Sequence, residues 1–156
     1  MNDIAELFSN YVLNVAVVSW LCAQIIKTVI ILIKTKKFNP ERLFGAGGMP
    51  SAHSASVCGT TIALAKSVGF SSPIFAISFL LATIVMYDAM GVRRAAGEHA
   101  RVINMIVKKA KEDNPSSTKS YTPKSKDGLK EFLGHTPLQV MGGALLGILI
   151  AMIMPM

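Results

Sequence analysis

The sequence predicts an all-α integral membrane protein: a helical bundle of about four transmembrane helices plus an amphipathic interfacial helix, formed as a single membrane domain over residues 1–156. Three observations carry this. Of the 156 residues, 51% are hydrophobic and only 16% charged, a balance that does not suit a chain solvated by water alone. Four apolar runs, 11–33, 54–68, 73–90 and 140–156, approach the roughly 17–25 residues that cross a bilayer as helix. Of the sixteen Lys and Arg residues, all but Lys66 fall beyond one common end of those runs or, like Lys27, in the helix leading to it, as they would if the helices alternate in direction.

Each element has its own justification. Asp3 and Glu6 precede the first run where a signal peptide would carry basic residues, and no small-residue cleavage site follows, so the helix is expected to stay in the mature protein. Within it Gln24 and Lys27 lie one turn apart, and Lys27 sits about two turns before the apolar run ends at Lys34. It is either a functional charge inside the membrane or a side chain snorkelling to the headgroups. A short basic loop follows with Lys34, Lys36, Lys37 and Arg42, where Phe38-Asn39-Pro40 breaks the helix.

The next stretch is the most unusual: Gly47-Gly48-Met49-Pro50-Ser51-Ala52-His53-Ser54. Its glycines allow positive φ, Pro50 suits a helix entry, and Ser51 or Ser54 can cap the free N–H groups there. Such a helix start attracts anions. The second span is short and polar and has Lys66 near its far end. Gly69-Phe70-Ser71-Ser72-Pro73 then turns the chain into the third span, which ends in Tyr87-Asp88-Ala89-Met90-Gly91-Val92-Arg93-Arg94. An unpaired Asp88 carboxylate at the membrane edge would be costly, so it is expected to pair with Arg93, Arg94 or a histidine, most simply as a structural ion pair.

Beyond it Val92, Ala96, His99, Ile103, Ile106 and Ala110 form one helical stripe, with Arg94, Arg101, Lys108 and Lys109 mostly off it. That pattern predicts a helix continuing from the membrane or lying along its surface. Residues 112–128, with Asn114-Pro115-Ser116-Ser117 and scattered lysines, read as a mobile polar loop. A short amphipathic approach from Leu129 leads to the last span, with Thr136 as cap and Pro137 as first helical residue. Gly142, Gly143 and Gly147 share closely related faces there, suited to tight packing inside the bundle or, as readily, in a homodimer. Cys22 and Cys58 lie in apolar segments, where they act as small hydrophobes.

The positive-inside rule makes this a multi-pass cell-membrane protein whose motif-bearing side is cytoplasmic and whose termini are outside. His53, Asp88, Arg93, Arg94 and His135 then converge on one membrane surface. Two histidines at helix starts, two adjacent arginines and an intramembrane lysine suit a phosphate held while one histidine attacks and the other supplies a proton. No cofactor or metal is required: His53, His99 and His135 lack short ligand spacing. The dispersed lysines of 108–130 lack an aromatic platform for nucleic acid and fit a membrane lipid surface better.

These residues carry a resemblance. Pro50-Ser51-Ala52-His53 is similar to the Pro-Ser-Gly-His motif of the type 2 phosphatidic acid phosphatase superfamily, which also includes vanadium haloperoxidases. His135-Thr136-Pro137-Leu138-Gln139-Val140 resembles that superfamily's last motif, in which the nucleophilic histidine begins a membrane helix. The combination of Gly-Gly-Met-Pro-Ser-Ala-His-Ser, Tyr-Asp-Ala-Met-Gly-Val-Arg-Arg and Leu-Gly-His-Thr-Pro resembles its divergent bacterial and plant branch over nearly the whole chain. The resemblance implies His135 as the nucleophile forming a phosphohistidine and His53 as the acid. Ser51 and the glycine-turn amides, including Gly48, would hold a phosphate oxygen. Lys27, Arg93 and Arg94 stand in for the basic residues of the usual motifs, and Asp88 and Gln139 support them.

The chain departs from the superfamily in three ways. Gln139 replaces the Asp that orients the nucleophile, Gly128 and Leu129 replace its Ser-Arg pair, and no Lys-x6-Arg-Pro motif occurs. His99 follows Arg93 at the spacing of the usual third motif and is the rival nucleophile. The expected function is a membrane phosphatase acting on a lipid mono- or diphosphate from the cytoplasmic surface. The alternative is a non-catalytic membrane protein that keeps an anion- or lipid-binding pocket. Vanadate-dependent halogenation suits so short a chain least.

Overall fold

A computed structural model of the chain describes residues 2–36, 48–113, 128–129 and 134–156. Gly47, the basic loop from Lys37 to Arg42 and the polar loop over 114–127 lie outside the described residues, as do residues 130–133. Among the described residues six helices form: α1 (Asn2–Ser9), α2 (Tyr11–Thr35), α3 (Ala52–Val68), α4 (Pro73–Met90), α5 (Val92–Asp113) and α6 (Pro137–Ile153). Among the described residues there is no strand. The fold is all-α, and its four spans and amphipathic helix are those the sequence predicts. α1 is an addition, set off from α2 by Asn10, whose side chain accepts from Leu13 N and caps α2.

The other helix starts follow the same chemistry. Ser51 caps α3, Ser72 caps α4 with Pro73 in its first turn, and Thr136 caps α6 with Pro137 behind it. α2 and the run Pro73–Ala110 opened by α4 are long and apolar enough to cross a bilayer, while α6 is a shorter apolar helix of 17 residues, about 25 Å by helical rise.

α3 is the least apolar span because lipid barely reaches it. It packs against α6, α2 and α4, and its buried residues are small: Ala52, Ser54, Ala55, Cys58, Gly59, Thr61, Ala63 and Ala65. Its hydroxyls find partners inside the bundle, Thr61 Oγ1 meeting Ser78 Oγ at 2.9 Å and Ser56 Oγ donating to Ala16 O at 3.3 Å. The large apolar side chains of the surrounding helices turn outward instead, as where lipid rather than water is the outer solvent: Ile25, Leu80 and Leu145 are 60%, 60% and 65% exposed. Gly143 and Gly147 serve the internal contact. A Cβ on Gly143 would overlap Ser51 O, and one on Gly147 would overlap Ala55 O, so α3 and α6 touch backbone to backbone.

At the end of the bundle remote from the glycine turn, Lys66 Nζ donates to Ala151 O and Met154 O, both at 2.9 Å, and lies 5.3 Å over the Tyr11 ring. The cation thereby satisfies carbonyls at the C-terminal end of α6 and ties it to α2 and α3. On α5 the protein-facing positions are Gly97 and Ala100, both buried, whereas the predicted stripe of Val92, Ala96, His99, Ile103, Ile106 and Ala110 is exposed. An exposed apolar stripe beside basic residues is what a helix lying on a membrane surface presents.

Candidate functional site

Three helix ends meet at the other end of the bundle: the start of α3, the α4–α5 junction and the start of α6. Backbone bonds join them. Ser51 N donates to Gln139 O at 3.0 Å, and His135 N donates to Ala89 O at 3.0 Å. Gly134 is required at this crossing, because a Cβ there would overlap the backbone of Arg94. The glycine turn closes a third side. Gly48, at φ +86°, lies over the stem of Lys27, with its notional Cβ 3.3 Å from Lys27 Cγ, and the Met49–Pro50 peptide is cis.

Between these ends lies a cavity of about 230 Å³, lined by His53, Ile84, Val85, Asp88, Ala89, Arg93 and His135. Four of the sequence-predicted site residues therefore line one space: the two histidines, Asp88 and Arg93. The remainder stand around it. Lys27 is 3% exposed and makes no hydrogen bond to any described residue, yet its charge bears on both histidines. Ser51 is fully buried and acts as a cap, its hydroxyl accepting from Ser54 N and from Ser54 Oγ at 3.4 and 3.0 Å. Arg94 is turned to Glu98, Nε to Oε1 at 3.1 Å. His99 is exposed on α5 and does not line the cavity. Among the described residues no group of three or more His, Cys, Asp and Glu side chains stands together as a metal site.

The chemistry of His135 is set by Gln139. In the capping box of α6, Thr136 N–H donates to Gln139 Oε1 at 3.1 Å, and Gln139 N donates back to Thr136 Oγ1. A backbone N–H can only donate, so the amide is oriented with its oxygen towards both Thr136 and His135 Nδ1, which lies 3.1 Å away. That oxygen can only accept. His135 is accordingly held with its proton on Nδ1, leaving Nε2 with a free lone pair. Burial holds the imidazole below its ordinary basicity; the Gln139 bond opposes this, while Lys27, His53 and Arg93 add to it. A neutral imidazole with one fixed tautomer is a competent nucleophile at neutral pH.

Across the cavity, Arg93 Nε donates to Asp88 Oδ2 at 2.6 Å, realising one of the pairings expected of Asp88. His53 stands in the first turn of α3 and is exposed. The apolar wall of Ile84, Val85 and Ala89 was missed by reading the sequence. Nothing in the sequence distinguishes these residues from other apolar positions of α4 until the helix is seen beside His135; the one signal is small Ala89 directly after Asp88.

The chain matches the family described as the Divergent PAP2 family over residues 8–150. The curated relative "Uncharacterized membrane protein YuiD" of Bacillus subtilis is 39% identical over 156 residues, covering 96% of each chain. No solved structure matches. With the match running from α1 through nearly all of α6, the chain belongs to the divergent PAP2 family.

Proposed function

We propose that this protein is a membrane phosphatase that hydrolyses a lipid mono- or diphosphate through a phosphohistidine on His135. The observation that carries the reading is the shared cavity, in which His135, His53 and Arg93 surround one space of about 230 Å³. His135 Nε2 attacks phosphorus, the bond from phosphorus to the leaving oxygen breaks, and His53 gives that oxygen its proton. Water then attacks the phosphohistidine and passes a proton to His53. The P–N bond breaks, and inorganic phosphate leaves. Arg93 and the nearby Lys27 offset the charge on the equatorial oxygens.

A lipid substrate fits the apolar wall. Ile84 lines the cavity and is also 63% exposed, so the same side chain borders the site and the lipid-facing surface. The distribution of Lys and Arg supports a cytoplasmic site with both termini outside. A second reading, an anion-binding membrane protein without turnover, is favoured by one observation: the neutral Gln139 amide orients His135 but adds no charge to strengthen it.

The test is phosphate release in detergent from a panel of lipid mono- and diphosphates without added metal. Activity in the wild type, lost in His135→Ala and His53→Ala and kept in His99→Ala, is the expected result. Activity surviving His135→Ala would refute the assigned nucleophile. A folded wild type that releases nothing from any lipid would give the second reading the lead.

A further inference from the structure

We propose that Asp88 is an internal counter-ion that competes with phosphate for Arg93, and so sets how tightly the cavity holds anions. The inference rests on reading this cavity as an anion site. Asp88 and Arg93 both line it, and the carboxylate holds Arg93 Nε at 2.6 Å. That contact places one carboxylate oxygen on a donor that a phosphate oxygen would also use.

Neither charge serves its own helix. Asp88 lies in the last turn of α4, where the helix dipole disfavours an anion, and Arg93 lies in the first turn of α5, where it disfavours a cation. A pair built only to stabilise helix ends would have the opposite arrangement. What the pair does accomplish is to neutralise the guanidinium beside two histidines until a ligand arrives. When a phosphate binds, it must share or displace the Arg93 contact, and Asp88 repels it. When phosphate leaves, Asp88 takes Arg93 back. A wholly basic cavity, with Lys27 behind it, would otherwise retain the phosphate product. Asp88 is in this sense an affinity-setting residue, acting through Arg93 rather than on the reacting atoms.

The test is calorimetric titration of inorganic phosphate into the full chain in detergent at low salt, for wild type, Asp88→Asn, Arg93→Ala and the double variant. Asp88→Asn is expected to bind phosphate about fivefold more tightly than wild type, the upper range of what a partly exposed ion pair commands. The gain should shrink as salt is raised and vanish in the Arg93→Ala background. Asp88→Ser must move in the same direction. Equal or weaker binding by Asp88→Asn, binding by neither protein, or failure of both Asp88 variants to fold would overturn the proposal, the last by making the pair a structural strut. Tighter phosphate binding without hydrolysis of any lipid phosphate would defeat the phosphatase reading alone. Hydrolysis with no Asp88 effect would defeat this proposal alone.

Discussion

Replacing Gly134 with Ala should shift His135 within the cavity without altering a polar side chain. The added Cβ would stand 2.7 Å from Arg94 Cβ and overlap Arg94 N and Cα, whereas carbon atoms rest at about 3.5–4.0 Å. Because the obstacle is backbone at the start of α5, the neighbour cannot swing aside, and segment 134–136 must retreat by more than about 1 Å to regain that spacing. The bond from His135 N to Ala89 O, 3.0 Å long, is then stretched past hydrogen-bonding range. Overpacking and the lost bond together should cost about 2–4 kcal/mol. A 1 Å misplacement of the nucleophile should lower turnover by roughly a hundredfold. Thermal unfolding in detergent reads the first quantity and phosphate release the second. A Gly134→Ala protein that melts and turns over like wild type would show that the α5 crossing does not position His135.

Two further outcomes follow from the same geometry. Burial and nearby cations hold the folded-state pKa of His135 below that of the unfolded chain, so its contribution to stability is present above the unfolded value near 6.5 and is lost as pH falls through the folded one. The acid limb of activity should accordingly lie below pH 6.5. Gln139→Glu, which puts a carboxylate at Nδ1, should move that limb to higher pH in a pH–rate profile; an unmoved limb would mean that another group sets it. Gly147→Val should push α6 off the Ala55 carbonyl and destabilise the bundle by about 1–3 kcal/mol or more, read as a lower melting temperature and broken only if α6 does not pack on α3.

Much of the fold was legible because bilayer-spanning helices announce themselves by apolar run length, and their starts by Ser51, Ser72-Pro73 and Thr136-Pro137, whose capping chemistry is local. α1 was not legible: residues 2–9 have no long apolar run, and the break rests on a single Asn10 side chain. At the site, the meeting of His53 and His135 could be anticipated from their helix starts lying on one side. Which cation joins them could not. Arg93 and Arg94 are neighbours in sequence, but about 100° apart around a helix, and the turn at Gly91 decides that Arg93 lines the cavity while Arg94 reaches Glu98. Spacing also failed to rank His99 against His135, because Arg93 to His99 fits a motif; in the structure His135 lines the cavity and His99 does not.

Gln139 connects fold to chemistry more directly than any other side chain here. An aspartate at this position would both orient His135 and add a charge beside it, so its absence reads in sequence as a defect. In the structure the longer amide performs a second task at the same time: its oxygen accepts from Thr136 N, completing the capping box that starts α6, and that bond is what fixes which amide atom faces His135. Orientation of the imidazole is therefore tied to formation of the helix itself, and only the electrostatic part of the aspartate's role is absent. The cationic surroundings work in the direction that a missing carboxylate leaves open, since Lys27, Arg93 and His53 disfavour protonation of His135 and keep Nε2 available. On the proposed reading, what such a site lacks is compensation for a positive imidazole. For a phosphohistidine reaction that loss falls on the step in which charge on the ring grows, and it is there that Gln139→Glu should show its effect.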